Sequence, residues 1–165
     1  MEKNENKNIV FERSLRYKKS TGDFGEYFIM HWLNKRNFEV VLIDYVGIDL
    51  IAHNKNLNKS YGISVKTRLR WTKEKESNPI MVRTSQIKLI EQACEYYSLI
   101  PTFGLVKDDN ESGNLEFWLL PYFETLKINN YKVPQRLAIK MTPKYIEQYK
   151  KICLFHLILK KEIEE

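Results

Sequence analysis

Cysteine and histidine are scarce, and their scarcity is informative. Cys94 and Cys153 stand far apart with no metal-ligand spacing, and neither pairs with His31, His53 or His156 at zinc spacing, which excludes the common zinc modules. Both thiols are expected to be reduced, small apolar side chains. Long apolar runs are missing too. The longest, Ile152 to Leu159, includes a histidine and is far too short to span a bilayer, so no membrane is expected. The polar start MEKNENKNIVFERSLRYKK has no apolar core of a signal peptide, so a cytoplasmic location is expected. No internal repeat is visible.

What is present fits a folded domain. The chain has 165 residues, 43% of them hydrophobic and 13% aromatic, enough for a core and against global disorder. A formal charge of +6 makes an anionic partner, nucleic acid foremost, plausible, although such a charge also serves solubility.

Organisation follows from patterning. Residues 1–19 read as a basic N-terminal arm or helix. Ser20 or Thr21 offers an N-cap for a helix to about Lys35, with Asp23 in its first turn and Phe24, Tyr27, Phe28 and His31 on its buried face. Gly22 and Gly25 are poor helix formers, which places the helix start close against another backbone or a ligand. Phe38–Ile43, Ile48–His53 and Tyr61–Thr67 are β-branched or apolar strands, a meander packed on that helix. Residues 68–79 read as an exposed basic loop, and Ile80–Arg83 as a short strand. Thr84 or Ser85 caps a second helix with Ile87, Ile90, Cys94 and Tyr97 on one face. Thr102–Lys107 and Leu115–Leu120 are further strands, with one more at Arg136–Met141. Thr142–Pro143 starts a last helix running into KKEIEE, and its all-round apolar stretch Ile152–Leu159 predicts docking or a homodimer interface. The expected division is a core over 20–121 and a C-terminal extension over 122–165.

The hairpin from Gly47 to Arg68 carries the chemistry. An Asp and a Lys near the middles of strands are costly to desolvate unless they serve a purpose, a structural ion pair or a site. Opposed residues of an antiparallel pair have a constant position sum, so Asp49 facing Ser64 needs 113 and Asp49 facing Lys66 needs 115. Both are odd and require an even-membered loop; an odd one would turn Lys66 away.

The α-β-β-β-α-β order, TGDFGE (Thr21–Glu26), GIDL (Gly47–Leu50), SVK (Ser64–Lys66) and the early-helix Gln86 together resemble the PD-(D/E)XK nuclease-like superfamily. The nearest branch is the Holliday-junction-resolvase-like and restriction-endonuclease-like one, and the resemblance covers about residues 20–107. It implies a three-layer α/β (α+β) restriction-endonuclease-like core with a C-terminal helical extension. It also implies DNA as substrate and Mg²⁺ or Mn²⁺ as cofactor. By the same resemblance Asp49, Glu26 and the Val65 carbonyl would hold the metal. Lys66 would orient water or offset charge at phosphorus, and Gln86 would bond near the scissile phosphate. Ile48 stands where the family has Pro, and Ser64 where it has Glu, so a neutral hydroxyl replaces a carboxylate. A catalytically inactive nucleic-acid-binding or assembly protein on the same scaffold is therefore the competing expectation. Arg68, Arg70, Trp71, Lys73 and Lys75 interleave cations with an aromatic, a pattern suited to phosphate contacts and base stacking.

Overall fold

The computed structural model describes residues 16–70, 79–109 and 112–160. Helix α1 (Tyr17–Asn34) leads into β1 (Phe38–Tyr45), β2 (Ile48–Asn54) and β3 (Lys59–Arg70). Next come β4 (Ile80–Val82), α2 (Thr84–Tyr96), β5 (Ile100–Asp109) and β6 (Asn114–Pro121). The chain closes with α3 (Tyr122–Ile128), β7 (Leu137–Ile139), α4 (Pro143–Ile152) and β8 (Phe155–Lys160). A six-stranded sheet has the order β1-β2-β3-β5-β6-β8, and β4 pairs with β7 in a separate two-stranded ribbon. β3 and β5 run parallel, with α2 in the connection between them, while the other neighbours in the large sheet are antiparallel. A parallel pair needs a crossover of this kind.

Alternation along the strands divides the interior into two clusters, one on each face of the sheet. On one face, Ile29 and Leu33 of α1 pack with Leu50, Ala52, Ile63, Val65, Val106 and Phe117. On the other, α2, α3 and α4 join Phe103, Leu105, Trp118 and Leu120. Helix, sheet and helices thus make three layers.

Three expectations need correction. Helix α1 starts at Tyr17, a turn before the proposed caps, and Thr21 lies inside it with its hydroxyl donating to the Tyr17 carbonyl at 2.9 Å. Its buried stripe is Gly25, Ile29 and Leu33, so Phe24, Tyr27 and His31 are exposed; the wide run of aromatics hid which face the sheet would take. The N-cap of α2 is Arg83, not Thr84 or Ser85: the Thr84 hydroxyl instead donates to the Pro134 and Gln135 carbonyls at 3.0 and 2.7 Å.

The third concerns the C-terminal extension. The last helix begins at Pro143 as expected but ends at Ile152. The stretch read as a terminal, dimer-forming helix is strand β8, which pairs Phe155, His156 and Leu157 with Leu119, Trp118 and Phe117 of β6. Its apolar residues face both sides of a strand, Phe155 and Leu157 entering the α1-side cluster. Continuous apolar character does not distinguish a short strand from a buried helical segment.

Candidate active site

The β2–β3 turn spans four residues, 55–58, and the register pairs Leu50 with Ile63 and Ala52 with Tyr61, a position sum of 113. Asn54 shapes the turn, its Oδ1 accepting the N–H groups of Asn56 and Leu57 at 3.0 and 3.1 Å. Asp49 is one residue beyond the last pair and so comes level with Ser64, the first of the two registers expected. His53 lies toward the turn, its Nδ1 3.0 Å from the Ser60 hydroxyl.

The strands meet the site through short polar contacts. The Val65 N–H donates to Asp49 Oδ2 at 2.6 Å. Lys66 Nζ donates to Ser64 Oγ at 2.8 Å and to the Val65 carbonyl at 2.9 Å. Ser64 is only 2% exposed, so its hydroxyl is committed to Lys66 rather than to bulk water. Burial pushes the Asp49 carboxyl above the ordinary carboxylate range, opposed by the Lys66 ammonium and the Val65 N–H. Burial likewise lowers Lys66, opposed by Asp49 and then Glu26, which places both carboxylates in its field.

Glu26 arrives from α1. Gly25 makes this possible: a Cβ there would collide with the Thr67 hydroxyl on β3, so only glycine lets the helix sit this low on the sheet. Glu26 and Asp49 line one open cleft of about 460 Å³ with Lys19, Asp23, Tyr27 and Tyr45. Asp23, expected only as a first-turn acid, stands three residues before Glu26, so the two share a helical face, and that spacing was the available signal. Tyr27, expected on the buried face, is 57% exposed and forms part of the cleft wall.

Gln86 is engaged elsewhere. Its Oε1 accepts the Arg83 N–H at 3.3 Å, closing the first turn of α2. Arg68 continues β3 and donates from Nη1 to the Pro79 carbonyl at 3.2 Å, so the strand extends into what read as a loop. Trp71, Lys73 and Lys75 lie outside the described residues, as does the side chain of Arg70.

Among solved structures, a Holliday junction resolvase from the archaeal hyperthermophile Archaeoglobus fulgidus, Hjc, superposes with a TM-score of 0.51 at 11% identity, covering 74% of this chain and 91% of that one. The fold is restriction-endonuclease-like. No family model and no curated protein matches the sequence.

A hard dication suits oxygen donors, and Mg²⁺ needs only one or two carboxylates beside its waters. Asp49, held in place by the Val65 N–H, and Glu26 across the cleft meet that requirement. Among the described residues, no group of three or more His, Cys, Asp and Glu converges as a ready-made cage. None of the described helices is long and apolar enough to cross a membrane.

Proposed function

We propose that this protein is a metal-dependent DNA endonuclease that hydrolyses phosphodiester bonds where the cleft between α1, β1 and β2 meets the middle of β3. The observation that carries the reading is the convergence of Asp49, near the start of β2, with Ser64, Val65 and Lys66 in the middle of β3, while Glu26 of α1 shares the cleft with Asp49 and acts on Lys66 through its charge. In this reading residues 20–121 hold the chemistry, residues 122–165 extend it, and the enzyme works in the cytoplasm. The neighbour in Archaeoglobus fulgidus resolves Holliday junctions, so branched DNA is the first substrate to try.

Asp49 and Glu26 would hold Mg²⁺ or Mn²⁺, with the Val65 carbonyl as a further oxygen donor. When bound, the ion supplies positive charge to the phosphate and acidifies a water. Asp49 is restrained through Oδ2 by the Val65 N–H while it lines the cleft. Lys66 is anchored by two neutral oxygens, leaving its charge available to a phosphate that enters. Burial strengthens that attraction relative to water. Gln86 would serve only after leaving its helix-capping bond.

A second reading has its own support. Ser64 contributes no charge and its hydroxyl is taken up by Lys66, which fits a nucleic-acid-binding protein without catalysis. Plasmid nicking with Mn²⁺ decides between them: the wild type should nick, and Asp49→Ala and Lys66→Ala should not. Equal nicking by all three would expose a contaminant and sink the assignment. Ser64→Glu separates the readings further. An added carboxylate level with Asp49 should let Mn²⁺ raise the denaturation midpoint more than it does in the wild type.

A further inference from the structure

The positive charge of this chain is unevenly placed. From Lys127 to Lys151 there are seven Lys and Arg against one acid, Glu147, and that difference of +6 equals the net charge of the whole chain. The acid is itself engaged, with Lys150 Nζ 2.7 Å from its Oε1. Helices α3 and α4 pack together and border an open cleft of about 410 Å³ lined by Lys127, Asn130, Lys144, Tyr145 and Gln148. Lys140 reaches the same wall, donating from Nζ to the Tyr145 hydroxyl at 3.0 Å and lying 5.0 Å from its ring centre. A phenol does not neutralise an ammonium, so three lysines bring full charges to one cleft.

This cleft is connected to the candidate active site by a defined path. The β4–β7 register pairs Ile80 with Ile139, which brings Lys140 beside Pro79. The Pro79 carbonyl accepts from Arg68, two residues past Lys66 on the same face of β3. Cations therefore follow one another from the candidate active site, across the ribbon, to α3 and α4.

The geometry points to a track for the DNA phosphate backbone over the α3–β7–α4 layer, gripping the duplex away from the phosphate that is cut. The cleft is open and each of its polar side chains can donate a hydrogen bond, which suits an extended polyanion better than an enclosed small molecule. The inference rests on the proposed nuclease reading but uses residues outside that site.

The test is salt-dependent binding of a labelled duplex by the full chain in Ca²⁺, with the triple substitution Lys127→Gln, Lys140→Gln and Lys144→Gln. Every phosphate left without its cation should reduce the slope of log K against log salt by about 0.9, so by up to about 2.7 for three. Affinity at low salt should fall about tenfold or more. Lys55→Gln, at the β2–β3 turn, should leave both unchanged, and Lys66→Ala should abolish nicking while keeping most of the slope. If the triple variant does not fold, Lys127→Gln and Lys144→Gln are read singly, each expected to remove about one unit of slope. Wild-type slope and affinity in these variants would overturn the track alone. A wild type that binds no duplex would overturn the track and the nuclease reading together.

Discussion

Two lysines on the same face of the sheet, one buried and one partly buried, invite comparison. Lys66 of β3 and Lys107 of β5 are on neighbouring parallel strands, where the register pairs Lys66 with Leu105 and Arg68 with Lys107. Lys107 has its charge answered by carboxylates: Asp109 at 3.4 Å and Glu116 at 3.9 Å, with side-chain exposures of 10%, 2% and 12% for the three residues. Lys66 instead bonds a hydroxyl and a carbonyl, with Asp49 and Glu26 acting on it through the field. A lysine enclosed by carboxylates is part of the framework. One anchored by neutral oxygens keeps charge for an arriving anion. The partners separate these cases more clearly than burial does.

The largest expected effect breaks the framework pair. Lys107→Met strips an ammonium from two buried carboxylates and should cost about 3–5 kcal/mol in chemical denaturation. A cost of under about 1 kcal/mol would mean that the cluster is solvated and the contrast unfounded. Lys66→Met should do the reverse. Nicking should fall about 10²–10³-fold, the usual cost of one electrostatic donor at a developing charge, with stability nearly unchanged. A variant that unfolds but, when folded, still nicks would make Lys66 a framework residue as well.

Asp49 sharpens the contrast through pH. Its folded pKa is raised, so the folded state binds the proton more tightly than the unfolded chain. Its stabilising contribution is thus full below the ordinary value of 3.8 and is lost as pH rises through the raised one. Relative to Asp49→Asn, the wild type should therefore lose stability across that window, by about 1.4 kcal/mol for every tenfold difference in proton affinity between the folded and unfolded chain. Above the window the difference should level off. Denaturation midpoints across the acid range give the answer. A difference of opposite sign would show that Lys66 and the Val65 N–H outweigh burial.

The smallest effect belongs to the framework side. His156 stacks on Trp118 with ring centres 3.4 Å apart, and the Trp118 indole N–H donates to Glu116 at 3.2 Å. Burial lowers the His156 pKa, with Glu116 opposing and Lys150 reinforcing the effect. The folded state therefore resists protonation, and a small part of stability should disappear as pH falls below 6.5 toward the lowered value. Tryptophan fluorescence should follow that titration. His156→Phe should keep the stack and erase the pH dependence; an unchanged profile would assign it to another group.

Sequence alone made the site side of this comparison legible and left the framework side dark. The strand period and an even turn were enough to bring Asp49 level with Ser64, because these constraints are local. Ile87, Ile90 and Cys94 were readable on α2 for the same reason: a short helix with one clear stripe. Lys107 was as unusual in its strand as Lys66, yet its nearer partner Asp109 sits where the strand had been read as ended, its second partner Glu116 comes from β6, and the neighbouring His156 comes from a strand that read as helix. Nothing local announces the part of the cluster that is closed across strands, which only the finished sheet brings together. The start of α1 was missed because several residues near it were acceptable caps, and its buried face because aromatics surround it.

The contact between Gly25 and Thr67 has a consequence for how this protein can change. Thr67 Oγ1 is buried and has no hydrogen-bond partner among the described residues, and the space a side chain at position 25 would need is the space it fills. Positions 25 and 67 are therefore not free to vary independently. A methyl group added on the helix calls for an atom removed from the strand, and a swap of that kind would keep α1 at its present height. A lineage that enlarged position 25 without trimming position 67 would lift the next residue, Glu26, off the cleft while leaving every charged group in its sequence intact. Such a chain would look competent in an alignment and be mis-spaced in three dimensions.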